Sequence, residues 1–254
     1  MPLAIGIVTD IHSGPDLAWV GGTAAPALLA AALEHLEALG ATILVDLGDR
    51  LNDVAPGDDE ARLRTVADLF RATSLPTEHL RGNHDLLPVE LQSGVLGGTL
   101  ANRSIDVEGW HLSFLDTFDG SIAGALAPAT LAWLEADLAA TSLPTILFSH
   151  QPLDGAPLVG NPLFEVDFAA HAHPDAHEEA RRIIERAGIV RLALNGHAHW
   201  NNLSRVRGVP YLSVQSLVAR GSDGQAAGSH ALLELDDERI HVRVYGGEPF
   251  EVQL

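Results

Sequence analysis

The chain has 254 residues, of which 46% are hydrophobic, and 34 acidic against 15 basic side chains leave a formal net charge of −19. The apolar fraction is enough for a sizeable core and excludes a disordered chain, while the negative balance argues against a general binder of nucleic acid or of anionic membranes. All 15 basic residues are arginines, and the absence of cysteine rules out disulfide frameworks, thiol catalysis and thiolate metal sites.

The N-terminus carries no basic region ahead of its apolar run, so a secretory leader is not expected and a cytoplasmic protein is. Leu3 to Val8 reads as a strand buried on both faces. Leu29, Leu33, Leu36 and Leu39 recur at helical spacing ahead of Gly40, which suits a helix C-terminus. Thr42 to Leu47 is a second strand, Leu63, Val66, Ala67 and Phe70 mark a second helix, and Pro76 to Leu80 is a third, short strand. Arg103 to Val107 and His111 to Leu115 form a pair of strands turning at Glu108-Gly109. Pro128 begins a helix carrying Leu131, Leu134 and Leu138, and Thr145 to Ser149 is again a buried strand. Asp175 with Glu178 resembles a capping box for a helix through Ile183, Ile184 and Ala187 that closes at Gly188. From Arg191 onward the pattern turns to strands at Arg191–Leu194, Leu203–Val206, Tyr211–Val214, Ala231–Leu235 and Ile240–Tyr245. An alternating half followed by a β-rich half suggests two sheets packed face to face with helices outside, in one domain spanning residues 1–254.

Polar residues gather at five of these strand ends: Asp10-Ile11-His12, Gly48-Asp49-Arg50, Gly82-Asn83-His84-Asp85, His150, and Gly196-His197-Ala198-His199. Open α/β sheets place ligands beyond the carboxyl ends of their strands, so these five ends are expected to converge. Four imidazoles (His12, His150, His197, His199), two carboxylates (Asp10, Asp49) and one amide oxygen (Asn83) form an all-nitrogen-and-oxygen donor set. Such donors suit manganese, iron, zinc or nickel. Seven of them exceed what one ion with an open position can use and fit two ions, roughly 3.5–4 Å apart, sharing a carboxylate.

The ordered set Asp-x-His, Gly-Asp, Gly-Asn-His-Asp, a lone His and Gly-His-x-His, running from residue 10 to residue 199, resembles the calcineurin-like metallophosphoesterase superfamily. The resemblance implies an α/β (α+β) fold, a four-layer αββα sandwich of two mixed sheets flanked by helices, and a dinuclear centre of divalent or trivalent ions, manganese or iron with zinc as the alternative. It assigns Asp10, His12, Asp49 and His199 to one metal and Asp49, Asn83, His150 and His197 to the other. His84 would face the substrate phosphate and support the leaving group. Asn83 is a further candidate substrate contact, and Arg50, next to the bridging Asp, is a candidate either to contact the phosphate or to pair with a neighbouring acid. Many members place an Asp three positions after the bridging Asp to orient that histidine. Here the position holds Asn52, leaving Asp53, Asp85 or Asn52 for the role. The implied activity is hydrolysis of a small phosphate ester by metal-activated hydroxide, most like the bacterial cyclic-nucleotide phosphodiesterase branch. A phosphomonoesterase or pyrophosphatase on the same centre, or a non-catalytic scaffold of the same fold, is the alternative. No nucleic acid or membrane partner is expected, and association between copies of the chain stays open. The insertion at about 151–175, with His171, His173 and His177 in or beside it, is expected to border the site, since long loops over a centre often set specificity. Trp200 and Asn201, directly after the last motif, are further candidates for the pocket lining.

Overall fold

In the computed structural model, which describes residues 2–53, 56–121, 123–236 and 239–254, the opening apolar run forms β1 (Leu3–Val8) and is buried along its whole length. Elements then follow as α1 (Ala25–Ala38), β2 (Ile43–Asp46), α2 (Asp59–Ala72), β3 (Thr77–His79), α3 (Val89–Leu96), β4 (Arg103–Val107) and β5 (Trp110–Leu115). The chain continues through α4 (Pro128–Ala140), β6 (Thr145–Ser149), α5 (His177–Ala187), β7 (Val190–Asn195), β8 (Asn202–Val206), β9 (Val209–Ser213), β10 (His230–Leu235), β11 (Ile240–Tyr245) and β12 (Phe250–Gln253).

Among the described residues the strands form two six-stranded sheets, in the orders β12-β11-β10-β1-β2-β3 and β4-β5-β6-β7-β9-β8. Both are mixed: in the first, β1, β2 and β3 run parallel and β10, β11 and β12 join antiparallel on the β1 side, and in the second, β5, β6, β7 and β9 run parallel with antiparallel β4 and β8 at the edges. The sheets are not two consecutive blocks of chain. Strand β10 returns to pair with β1, and β11 and β12 extend that first sheet.

Alternation along each strand sorts the core into layers. Leu3, Ile5 and Ile7 of β1 face the second sheet, where Phe114 and Phe148 stack with centroids 5.2 Å apart, while Ala4 and Val8 face α1 with Leu29, Leu33 and Leu36. Leu134 and Leu138 of α4 and Ile184 of α5 cover the outer face of the second sheet. The result is the four-layer αββα arrangement.

Two elements lie outside the expected set. Helix α3 is short and has no capping side chain, and β12 is an edge strand with alternate residues exposed, so neither carries a strong apolar signature. One local expectation is corrected. The residue before α5 is Ala176 in a left-handed conformation with no side-chain cap, and Asp175 instead bridges Ala125 through its backbone. No helix among the described residues is long and apolar enough to cross a membrane.

Candidate functional site

Because β1, β2 and β3 run parallel in one sheet and β6 and β7 in the other, their carboxyl ends meet at one end of the sandwich. Backbone pairing continues past the strands: the amides of Asp10, His12 and Ser13 donate to Gly48, Asp49 and Arg50 carbonyls at 3.0, 2.9 and 2.8 Å. The chain turns sharply there, with Asp10, His12, Asp49, His197 and His199 all at positive φ, between 42° and 62°. Such dihedrals cost free energy in non-glycine residues and persist where the surroundings fix them, commonly at functional sites.

Two of the motif glycines are required by close approach. A Cβ on Gly82 would stand 2.0 Å from Asp49 Oδ1, and one on Gly196 would stand 1.9 Å from Thr9 Oγ1. Without those side chains the amide of His84 donates to Asp49 Oδ1 at 2.8 Å, and the amide of His197 donates to Asp10 Oδ2 at 2.9 Å. Each carboxylate therefore spends one oxygen on the backbone and turns the other toward the cleft floor.

The donor atoms fall into two buried groups, Asp10/His12/His199 and Asp49/His150/His197, with the ligating atoms of each group within 4.8 Å of one another. In the first, His12 Nε2 and His199 Nε2 face each other at 3.0 Å, and Asp10 Oδ1 lies 3.3 Å from His199 Nε2 while having no hydrogen-bond partner. In the second, Asp49 Oδ2 lies 3.2 Å from His150 Nε2, and Asn83 Oδ1 lies 3.2 Å from the same nitrogen. Asp49 Oδ2 is also 3.7 Å from His12 Nε2, so this carboxylate stands between the groups. Each group takes ligands from both sheets. Converging nitrogen lone pairs around an unpartnered buried carboxylate oxygen fit a cation, since a buried acceptor left unpaired is otherwise costly.

Outer contacts fix the imidazoles. His150 donates Nδ1–H to the Leu47 carbonyl at 2.9 Å, and His197 donates Nε2–H to the His171 carbonyl at 2.8 Å, which leaves Nε2 of His150 and Nδ1 of His197 as the atoms a metal would use. Burial pushes His12 and His197 down to about 3, keeping both rings neutral at ordinary pH. Burial also opposes a charge on His150, but the Asp49 carboxylate outweighs it and lifts the ring to about 9. His84 follows the same logic: burial disfavours its charged form, and Asp49 and Asp53 together raise it to about 9. Burial works against ionised Asp10 and Asp49 as well, yet the surrounding imidazoles hold both below the usual carboxylate range.

A cleft of about 310 Å³ opens over this floor. Asp49, Asn83, His12, His84, His197 and His199 line one side. His84 Nδ1 lies 3.1 Å from Asp53 Oδ2, so among the three residues considered for orienting it, Asp53 is the one beside the ring. Asn52 instead donates to the Pro15 carbonyl.

Arg50, a candidate for a phosphate contact or an acid pair, and Asp85, a candidate for orienting His84, both turn away from the cleft. Arg50 is fully buried (0% exposed), bonded through Nε to Asp46 at 2.6 Å, through Nη1 to Asp85 at 2.7 Å and through Nη2 to the Leu80 carbonyl. Asp85 accepts from the amides of Asp49, Arg50 and Gly82, each at 3.0 Å, as well as from Arg50. Both are framework: three backbone amides and a guanidinium consume the acceptor capacity of Asp85, and neither residue lines the cleft. Of the insertion histidines, His171 lines the cleft, whereas the ring nitrogens of His173 bond the Pro152 and Ala156 carbonyls and His177 bonds the Pro174 carbonyl. Trp200 packs with Leu158, Phe164 and Ala198, and the Asn201 side chain bonds the Gln215 amide and the Glu248 carbonyl, so, against expectation, neither lines the cleft. The rest of the wall, Leu17, Trp19, Leu163, Phe164 and Phe168, comes from loops with no periodicity to reveal it.

The family model described as calcineurin-like phosphoesterase matches residues 3–201. A protein of Synechococcus described as a probable cyclic nucleotide phosphodiesterase is 29% identical over 212 residues, covering 78% of this chain and 74% of that relative. Among solved structures, a dimetal phosphatase from Danio rerio superposes over 100% of this chain and 99% of its own with a TM-score of 0.81 at 15% identity. GAP50, the anchor in the inner membrane complex of Plasmodium, superposes over 100% of this chain and 88% of its own with a TM-score of 0.66 at 13% identity. At such identities the structural matches speak for the fold alone.

Proposed function

The chain belongs to the calcineurin-like phosphoesterase family and is a metal-dependent phosphoric ester hydrolase; from that premise we propose that it cleaves small phosphodiesters in preference to monoesters, at two transition-metal ions held by Asp10, His12, Asp49, Asn83, His150, His197 and His199. The observation that carries this reading is the pair of buried donor groups on one cleft floor with the Asp49 carboxylate between them. The donor set suits manganese or iron, with zinc as the alternative. When bound, the ions supply Lewis acidity, lowering the pKa of a water and screening the charge of the phosphate.

The chain's own residues do the positioning. Backbone amides hold the Asp10 and Asp49 carboxylates in one orientation, and the Leu47 and His171 carbonyls hold two imidazoles in one tautomer each. His84 turns Nδ1 toward Asp53, which leaves Nε2 to meet the substrate. From there it donates a proton to the departing oxygen. The diester preference rests on charge: the described residues lining the cleft include no arginine, and the chain has no lysine. The second negative charge of a monoester dianion therefore meets no cation beyond the floor and His84. The Synechococcus relative's description points the same way.

Hydrolysis of bis-p-nitrophenyl phosphate and p-nitrophenyl phosphate, each with manganese, iron and zinc, tests the reading. The expected result is a higher kcat/KM for the diester with at least one metal. A higher value for the monoester reverses the preference, and no turnover of either with any metal overturns the proposal.

A further inference from the structure

The cleft has two unlike sides. Opposite the polar floor stands an apolar wall in which Trp19 is 41% exposed and Phe168 is 37% exposed. Rings of this size are normally covered wherever a fold can cover them, and an exposed group of them beside a polar site marks a binding surface. These rings also form a series leading inward. Trp19 and Phe168 have centroids 6.1 Å apart, Phe168 and Phe164 are 6.2 Å apart, and Phe164 is 4.8 Å from His197 on the floor.

The rings stand on ordered backbone. The Trp19 carbonyl accepts from Arg220 N at 3.0 Å, and Leu17 N donates to the Val20 carbonyl at 2.9 Å. On the other side, Phe168 N donates to the Leu163 carbonyl at 3.2 Å, and His171 N donates to the Phe168 carbonyl at 2.8 Å. Asn161 ties the insertion to the floor: its Nδ2 donates to the Ala198 carbonyl at 2.8 Å, and its Oδ1 accepts from Leu163 N and Phe164 N at 2.8 and 2.9 Å. Leu17, Trp19, Leu163, Phe164 and Phe168 offer hydroxyl-rich substrates almost no side-chain hydrogen-bond partner, the Trp19 indole N–H being their one polar group.

We infer that the cleft is built for phosphate esters carrying a flat aromatic group, which docks against Trp19 and Phe168, and that these two residues set the specificity. The inference rests on the proposed phosphoesterase reading of the floor. Aromatic rings gain from offset or edge-to-face contact as well as from burial, so a planar group on this wall is favoured over an alkyl or sugar group of similar size.

Calorimetric titration of the manganese-loaded protein with 1-naphthyl phosphate and with methyl phosphate tests it. The naphthyl ester binds about tenfold more tightly or better. Trp19→Ala and Phe168→Ala each move the two affinities toward parity, while Trp19→Phe keeps most of the preference. Equal affinities in the unaltered protein, no binding of either ester, or a preference that survives the Trp19→Ala/Phe168→Ala double substitution overturns the inference. Melting curves of the variants show whether they remain folded; both residues are part-exposed, and unchanged curves are expected. Turnover of bis-p-nitrophenyl phosphate in the same preparations reads the hydrolase proposal separately. Naphthyl preference without turnover keeps the wall and removes the hydrolysis, and turnover without preference does the reverse.

Discussion

The floor and the wall of the cleft face each other across one cavity but are held in different ways. Floor residues follow β1, β2, β6 and β7, which are paired on both sides, and the edge strand β3, with left-handed turns and carboxylates locked by amides from other strand ends. The wall hangs from a short turn around Trp19 and from the irregular segment between β6 and α5, where the ordered pieces are turns and a single 3-10 turn at Ala169–His171. A centre that must fix several donor atoms at once needs the rigidity of sheet ends. A surface that meets a variable substrate group does not, and insertions there leave the floor intact. Among the described residues two hydrogen bonds from the insertion cross between them, the His197 ring to the His171 carbonyl and the Asn161 side chain to the Ala198 carbonyl, beside the ring contact of Phe164 with His197.

Substitutions can break this contrast, beginning with the floor. Asp49→Ala removes the carboxylate that stands between both donor groups, so elemental analysis is expected to find both ions lost and activity with them; full retention of metal would show that Asp49 does not bridge. His84→Ala is expected to keep the ions and to lower kcat by about 10²–10⁴-fold, most for poor leaving groups, as loss of a general acid does. Steady-state kinetics on esters of graded leaving-group acidity read this, and a uniform loss across the series would instead indicate a positioning role. Arg50→Ala leaves Asp46 and Asp85 buried without their cation and is expected to destabilise the fold by about 3–5 kcal/mol, measured by denaturant unfolding. A stability unchanged within about 0.5 kcal/mol would mean that the framework assignment of Arg50 is wrong.

Smaller effects probe the links. Asn161→Ala is expected to raise KM for aryl esters by about tenfold while metal content stays at the unaltered level, since one buried hydrogen-bonded group is worth about 1–3 kcal/mol. Loss of metal in that variant would show that the floor depends on the wall. Acid probes the floor as well. In the metal-free protein the His150 ring sits at about 9, so it is protonated through neutrality and must release its proton to coordinate. Apparent metal affinity therefore rises with pH and levels off above about 9, changing by at most about tenfold per unit for this one proton. The same shift, upward from the ordinary histidine value, stabilises the metal-free fold fully below about 6.5 and ceases to do so as pH rises through about 9. Calorimetry across pH 6–9 reads the first effect, and a flat affinity would contradict the assignment of His150 as a ligand.

How much of this was legible in the sequence follows the same division. Asp10, His12, Asp49, His150, His197 and His199 follow closely on apolar strands and Asn83 on the short, polar β3, so position along the chain, with the motif order, points to both their location and their company. The glycines beside them are legible for a related reason, because Gly82 and Gly196 lie where a carboxylate or hydroxyl passes too close for any Cβ. Asp85 and Arg50 carry the right chemistry in the right place and still turn inward, since side-chain direction at a strand end depends on one dihedral that spacing does not encode. Asp53 reaches His84 from a residue at φ 53°, a local turn of the same kind. The insertion that carries Phe168 is legible as a border of the site, but its pairing with Trp19 is not, because the two lie 149 positions apart in irregular segments and only the folded chain makes them neighbours.

The central claim is that the strand-end floor is a two-ion hydrolytic centre. Titrating metal-free protein with manganese while following hydrolysis of bis-p-nitrophenyl phosphate tests it most directly. Activity that climbs to a plateau at two equivalents per chain is the expected result. A plateau at one equivalent, or no hydrolysis at any loading while two ions bind, would contradict it.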